Sequence, residues 1–260
     1  MQNSEFRIEK IRISCVSYLN SQPFIYGLKN SSIINEIDLF LDVPSLCAEK
    51  LLTGNVDIGL IPVAVIPELK ESHIISDFCI GADGKVETVL LLSDVPLNEI
   101  NSVLLDSQSR TSVMLAKILA ERFWNISPQW LEGAGGFEKN ISGNTAGLVI
   151  GDKTFVLKNK FKYAFDLADE WKKFTSLPFI FACWVSNIKI PDGFISRFNA
   201  ALNYGIKNIS LVAERHSSND TDALNYLTKK VSYNLDAEKK EAMKLFLKMC
   251  GNMQLKKPLP

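Results

Sequence analysis

The chain has 260 residues, 47% of them hydrophobic and 22% charged, and its 29 basic side chains balance 29 acidic ones. That length suits one large domain or two ordinary lobes with a sizeable core. A formal net charge of zero argues against a nucleic-acid groove or a membrane-surface patch as the main working surface. Only two histidines, His73 and His216, occur, in unrelated contexts, so a histidine-based metal site or a Ser-His-Asp triad is hard to assemble. The five cysteines are widely spaced and lack a CxxC pair, which reads as small buried hydrophobes in a reducing compartment. The N-terminal MQNSEFRIEK has no apolar secretory core, and no apolar run approaches the roughly 20 residues of a membrane helix. A cytoplasmic protein is expected.

In chain order, Ile11 to Val16 reads as a strand that empties into Ser17-Tyr18-Leu19-Asn20. Ser21 to Gly27 opens a short helix that Gly27 ends. Asp38 to Val43 is a second strand. Ser45 caps a helix that stops at Gly54. Val56 to Ile61 is a third strand, ending at Pro62. Strand, helix, strand, helix, strand is the pattern of a parallel α/β sheet, in which ligands bind beyond the carboxyl ends of the strands. The Ser17–Asn20 loop and the Pro62–Pro67 stretch both lie there.

Cys79 to Gly84 is a strand end and turn, and Val86 to Ser93 a long β run. Ser102 to Asp106 is a strand, followed by Ser107-Gln108-Ser109-Arg110-Thr111-Ser112 and a helix from Val113 to Phe123. Ala146 to Gly151 is a strand, with Asp152 after it. A helix begins near Asp169, and Phe179 to Val185 is a further strand. Beyond Pro191 the chain reads helical throughout. Two α/β blocks result. The expected division is a discontinuous lobe of residues 1–95 and 179–260 and a second lobe of 96–178, with crossings near Ser93 and Phe179 and a ligand cleft between the lobes.

The strongest chemical signal is LLDSQSRTSVMLAKIL, residues 104 to 119. A strand ends in a hydroxyl-rich loop that opens a helix. The unpaired first N–H groups and the helix dipole favour an anion there. Arg110 could add a bidentate clamp for a carboxylate, or it could be a solvated arginine beside a well-capped helix. Gly151-Asp152 is either a ligand-facing turn or a plain strand-to-helix turn with Asp152 as cap. Pro62 and Pro67 make either a rigid apolar wall or a tight loop. Thr88 reads as a strand threonine whose hydroxyl could face the cleft. Asp169-Glu170 opens a helix, and residues 226–249 form a packing helix with a charged face.

Several stretches together resemble the MqnA family, the chorismate dehydratases of the futalosine route to menaquinone. They are VSYLNSQPFIYGL, VPSLCAEKLLTGNVDIGLIPVAVIPEL, CIGADGKVETVLLLSDVPLNEI, LLDSQSRTSVMLAKIL, GLVIGDKT, YAFDLADEWKKFTSLPFIFACWV and YLTKKVSYNLDAEKKEAMKLF, in order over nearly the whole chain. The resemblance implies a two-lobe, periplasmic-binding-protein type II-like α/β fold and dehydration of chorismate to 3-[(1-carboxyvinyl)oxy]benzoate, with no metal or organic cofactor. It implies Asn20 and Thr88 as the catalytic residues, Thr88 standing where relatives are expected to carry serine. It further implies Ser17, Tyr18, Pro62, Ser107, Ser109, Arg110, Thr111, Ser112, Gly151 and Asp152 as substrate-binding residues. No histidine lies near any of these motifs, so the expected base is the substrate's own enolpyruvyl carboxylate. Two other readings stay open: the sister enzyme of the same pathway, acting on a later naphthoate-type intermediate, and a non-catalytic binding protein for a small aromatic carboxylate. The partner expected in each case is a small molecule, with neither nucleic acid nor membrane involved.

Overall fold

A computed structural model describes residues 10–106, 108–218 and 221–254. The first βαβ units form as the apolar pattern dictates. β1 (Ile11–Val16) pairs in parallel with β2 (Ile37–Asp42) and with β3 (Ile58–Pro62). The connecting helices are α1 (Gln22–Lys29) and α2 (Pro44–Leu52). Pro44 occupies the first turn of α2, where its missing N–H costs nothing. Ser45 therefore lies inside the helix, and no side chain caps it, contrary to the expected Ser45 cap. Gly54, at φ 73°, follows the helix end as expected.

β4 (His73–Ala82) completes the first sheet together with two strands from late in the chain, β10 (Phe179–Ser186) and β11 (Ser232–Asn234). The order is β11-β4-β10-β3-β1-β2, with β10 antiparallel to both β3 and β4. The second sheet contains β5 (Val89–Ser93), β6 (Ser102–Asp106), β7 (Gln129–Gly133), β8 (Thr145–Ile150) and β9 (Tyr163–Asp166), in the order β7-β6-β8-β5-β9. The expected strand from Val86 to Ser93 is thus shorter. It also belongs to the second sheet, pairing antiparallel with β8 and β9. The chain passes between sheets over residues 83–88 and not near Ser93, which moves the first boundary of the expected lobes. Glu87, at φ 65°, makes the bend, and its amide N–H donates to the Asp166 carboxylate at 2.6 Å. The chain returns to the first sheet between β9 and β10.

The second sheet carries α3 (Arg110–Leu119), which runs on through a single π turn to Trp124, then α4 (Thr154–Leu157) and α5 (Leu167–Thr175). α5 starts two residues before Asp169 because Asp166 accepts from the Ala168 and Asp169 N–H groups. The C-terminal region is not wholly helical. It holds α6 (Asp192–Lys207), α7 (Ile209–Glu214) and α8 (Ala223–Asn225) with a π turn through Lys230, then β11 and α9 (Ala237–Gln254). Among the described residues no helix is long and apolar enough to cross a membrane.

The core of the first lobe is aromatic. Trp184 of β10 packs edge-on against Phe24 and Phe198, with ring centroids 5.8 and 5.0 Å apart. All five cysteines are free and buried. Burial pushes the Cys15 and Cys183 thiols well up and Cys47 to about 12, so none is a thiolate at neutral pH.

Gly27 does not end α1. It sits inside that helix, where α6 crosses it so closely that a Cβ on Gly27 would stand 2.0 Å from the Ala201 carbonyl oxygen. A Cβ on Gly205 would stand 1.7 Å from the Pro23 carbonyl oxygen. Both neighbours are backbone and cannot rotate away. Gly205→Ala is therefore expected to cost about 3 kcal/mol, the upper end for an overpacked core, or to abolish folding. Chemical denaturation with a midpoint close to that of the parent would refute this packing.

Candidate active site

The parallel strands of both sheets point their carboxyl ends at one another, and the cleft lies where they meet. The loop after β1 supplies Tyr18, Asn20 and Ser21. The ends of β2 and β3 supply Pro44 and Pro62, and the loop and helix start after β6 supply Ser109, Thr111 and Ser112. Gly151 follows β8, and the first crossover adds Val86, Thr88 and Val89. Val16, Ile80, Ile150, Phe181 and Ala182 complete an apolar floor and wall. The space between these residues, including open solvent at the mouth, is about 540 Å³.

The two lobes are closed on each other. The Leu19 N–H donates to both Asp152 carboxylate oxygens at 3.2 and 3.1 Å. The Tyr18 hydroxyl donates to Gln108 Oε1 at 2.6 Å. The Ala64 N–H donates to Thr111 Oγ1 at 3.2 Å. Gly151 lies at φ 77° against the Tyr18 ring, which a Cβ would meet at 3.1 Å. Glycine is thus required twice there, by the backbone and by the contact.

Polar groups at the pocket come from three places. Ser109 caps α3, its Oγ accepting from the Ser112 N–H at 3.2 Å, so the helix presents its N-terminus and the Thr111 and Ser112 side chains together. Thr88 directs its Oγ1 to the Tyr226 hydroxyl at 2.8 Å, and its carbonyl accepts from the Gly151 N–H at 2.9 Å. Asn20 accepts from Ser21 Oγ at 3.0 Å on its side chain and from the Tyr233 hydroxyl at 3.0 Å on its carbonyl. Burial raises the Tyr226 phenol's pKa, against smaller lowering by Thr88 and Asn20. Burial, with the nearby Asp106 and Asp152 charges, holds the Tyr18 phenol far above its ordinary pKa, so it stays a neutral donor. Asp106 at the end of β6 is buried, but its charge is met by Lys153 Nζ at 2.6 Å. No carboxylate or ammonium group is among the described pocket-lining residues.

Of the residues singled out from sequence, Tyr18, Asn20, Pro62, Thr88, Ser109, Thr111, Ser112 and Gly151 line this pocket. Arg110 does not. It is exposed, and its guanidinium pairs with Glu68 of the other lobe at 2.9 Å, because the first turn of α3 aims residue 110 away while residues 111 and 112 face in. Ser17 and Asp152 also lie outside it. They line a separate depression with Leu19, Gln22, Phe155 and His216, and Asp152 serves lobe contact, not helix capping. Ser107 lies outside the described residues. Pro44 was not anticipated, although the strand-end rule that picked out Pro62 applies equally to it. Tyr226 and Tyr233 carried no local signal, since their segment reads as a packing helix. Among the described residues no group of three or more His, Cys, Asp or Glu side chains could hold a metal ion.

Two sheets crossed twice by the chain, with a mostly apolar pocket between facing strand ends, define a two-lobed protein of the periplasmic-binding-protein-like fold class. A Candida albicans protein described as having the generic periplasmic binding protein fold is similar at 15% identity and TM-score 0.62, over 94% of this chain and 90% of that one. The Archaeoglobus fulgidus protein AF1704 is similar at 14% identity and TM-score 0.73, over 95% of this chain and 98% of that one. A sequence model described as menaquinone biosynthesis matches residues 11–252, and the chain belongs to that family. A chorismate dehydratase of Thermus thermophilus is 25% identical over 222 residues, 74% of this chain and 81% of the relative.

Asp152 gives a pH prediction. Burial raises its pKa, while the Leu19 N–H and the His216 charge pull it back, and the net shift is upward. A raised carboxyl contributes most below the unfolded value of about 3.9 and loses that contribution as pH rises through its folded pKa. Asp152→Asn keeps an acceptor for Leu19 and removes the charge. Its melting temperature is expected to exceed the parent's at pH 7 and to match it near pH 3.5. A lower melting temperature at pH 7 would show that the charge itself holds the contact.

Proposed function

We propose that the chain is a cytoplasmic chorismate dehydratase, converting chorismate to 3-[(1-carboxyvinyl)oxy]benzoate and water. The observation that carries this reading is the pocket itself. It offers an apolar bed for a ring, one amide and several hydroxyls as hydrogen-bond groups, and a helix N-terminus for a carboxylate, without a charged side chain among the described lining residues. The family membership and the named Thermus thermophilus relative point the same way.

Little chemical force is needed. Loss of the C3 proton and the C4 hydroxyl makes the ring aromatic, so the enzyme has mainly to position groups and stabilise developing charge. In this reading the ring carboxylate sits at the N-terminus of α3, held by Ser109, Thr111 and Ser112. Charge that develops on it as C3–H breaks is met by those donors. Asn20 and Thr88 hydrogen-bond the departing C4 hydroxyl. The substrate's enolpyruvyl carboxylate takes the C3 proton, the C–H pair becomes the C3–C4 double bond, and the C4–O bond breaks. The proton then passes to the departing hydroxide, so one water leaves and the carboxylate is restored. Closure of the lobes over the ring keeps bulk water from competing for these hydrogen bonds.

Incubation of the protein with chorismate is expected to give a new aromatic absorbance and a product lighter by one water. Binding without product would instead favour a non-catalytic carboxylate-binding protein, and neither binding nor product would turn attention to the sister enzyme's naphthoate-type substrate. In the same assay Asn20→Ala is expected to lower kcat by about 100-fold, the scale of losing one charge-stabilising donor, with little change in melting temperature. An analogue whose enolpyruvyl carboxylate is an amide should bind and fail to turn over, and normal turnover of it would remove the substrate-base step.

A further inference from the structure

The Thr88 hydroxyl is met from beneath by the C-terminal segment. Tyr226 is only 3% exposed, and its hydroxyl lies 2.8 Å from Thr88 Oγ1. Each hydroxyl carries one proton, and either oxygen can accept from the other. With Tyr226 as the donor, Thr88 keeps its own proton for another partner. Among the described residues Tyr226 is the recorded side-chain partner of Thr88 Oγ1, and Thr88 lines the pocket.

We propose that Tyr226 is a positioning residue that fixes the Thr88 hydroxyl as a hydrogen-bond donor aimed at the substrate's departing hydroxyl. The inference rests on the dehydratase reading. Its physical content is preorganisation. A threonine hydroxyl free to rotate donates or accepts at will, whereas one that already accepts from a buried phenol presents its proton to the cleft before reaction. Burial keeps the Tyr226 phenol protonated well above its ordinary range, so the order of donors does not reverse at working pH. Tyr233 makes a useful contrast: it is also buried, and its hydroxyl donates to the Asn20 carbonyl.

A double-mutant cycle on kcat with chorismate tests this. Tyr226→Phe alone is expected to lower kcat about tenfold with KM within about threefold, Thr88→Val about 100-fold, and Thr88→Ser hardly at all. In the Thr88→Val background, Tyr226→Phe should change kcat by less than about twofold, because its effect runs through Thr88. Tyr233→Phe should have the same effect in either background. Equal effects of Tyr226→Phe in both backgrounds overturn the proposal, since a packing role multiplies independently. If Tyr226→Phe does not fold, a fluorinated tyrosine at position 226 keeps the packing and strengthens the donor. It should alter kcat with Thr88 present and leave it unchanged with Val at that position, and equal changes in the two overturn the proposal. A wild-type chain that does not turn over chorismate refutes the dehydratase reading and this inference together, whereas wild-type turnover with independent effects refutes the inference alone.

Discussion

The site depends on one topological constraint: the chain leaves the first sheet after β4, builds a second sheet, and returns along β10. Two antiparallel crossing strands turn the carboxyl ends of β1, β2 and β3 toward those of β6 and β8. Every polar group at the pocket except Thr88 hangs from such an end, and Thr88 sits in the crossing itself. The loops could not be placed face to face by a single doubly wound sheet, whose strand ends share one edge. The close crossing of α1 and α6 through Gly27 and Gly205 belongs to the same constraint, because it braces the helix that follows the Ser17–Asn20 loop.

Closure then sets the electrostatics. The contacts that bring the lobes together are made at the rim, by Leu19 with Asp152, Tyr18 with Gln108 and Arg110 with Glu68. Charges are spent there, or neutralised behind the wall as in the Asp106–Lys153 pair. What remains inside is dipolar: amide, hydroxyl and the N-terminus of α3. In an apolar surround such dipoles act more strongly than in water and need no reorganisation when charge develops. That is a suitable arrangement for a reaction whose product is aromatic and whose substrate brings its own carboxylates.

Much of this was legible in the residues, for local reasons. β1, β6 and the start of β10 follow from apolar runs, and the helix start at Ser109 follows from a hydroxyl cap followed by a periodic apolar face. The strand-end rule located Tyr18, Asn20, Pro62 and Gly151 at the pocket. Local patterns failed where a choice depended on distant partners. Arg110 and Thr111 are neighbours in one hydroxyl-rich loop, and only the helix phase decides that Thr111 faces in while Arg110 meets Glu68 outside. Gly27 has the composition of a helix stop, yet its lack of a side chain is used for a helix crossing with residue 205. Val86 to Ser93 reads as one strand, but Glu87 bends the chain so that its two ends serve different lobes.

By itself the sequence determined the alternation of strands and helices, the hydroxyl-rich helix start and a family resemblance, because these are written in short-range periodicity and in motifs. Which sheet each strand joins, which side chains share the closed pocket, and the placement of Tyr226 beneath Thr88 were decided only by the tertiary structure. Tyr226 is 138 residues from Thr88 along the chain. No local pattern encodes a hydrogen bond over that separation. It exists because β10, α6 and the C-terminal segment pack back against the first sheet and bury the phenol where its hydroxyl meets the one at the crossing.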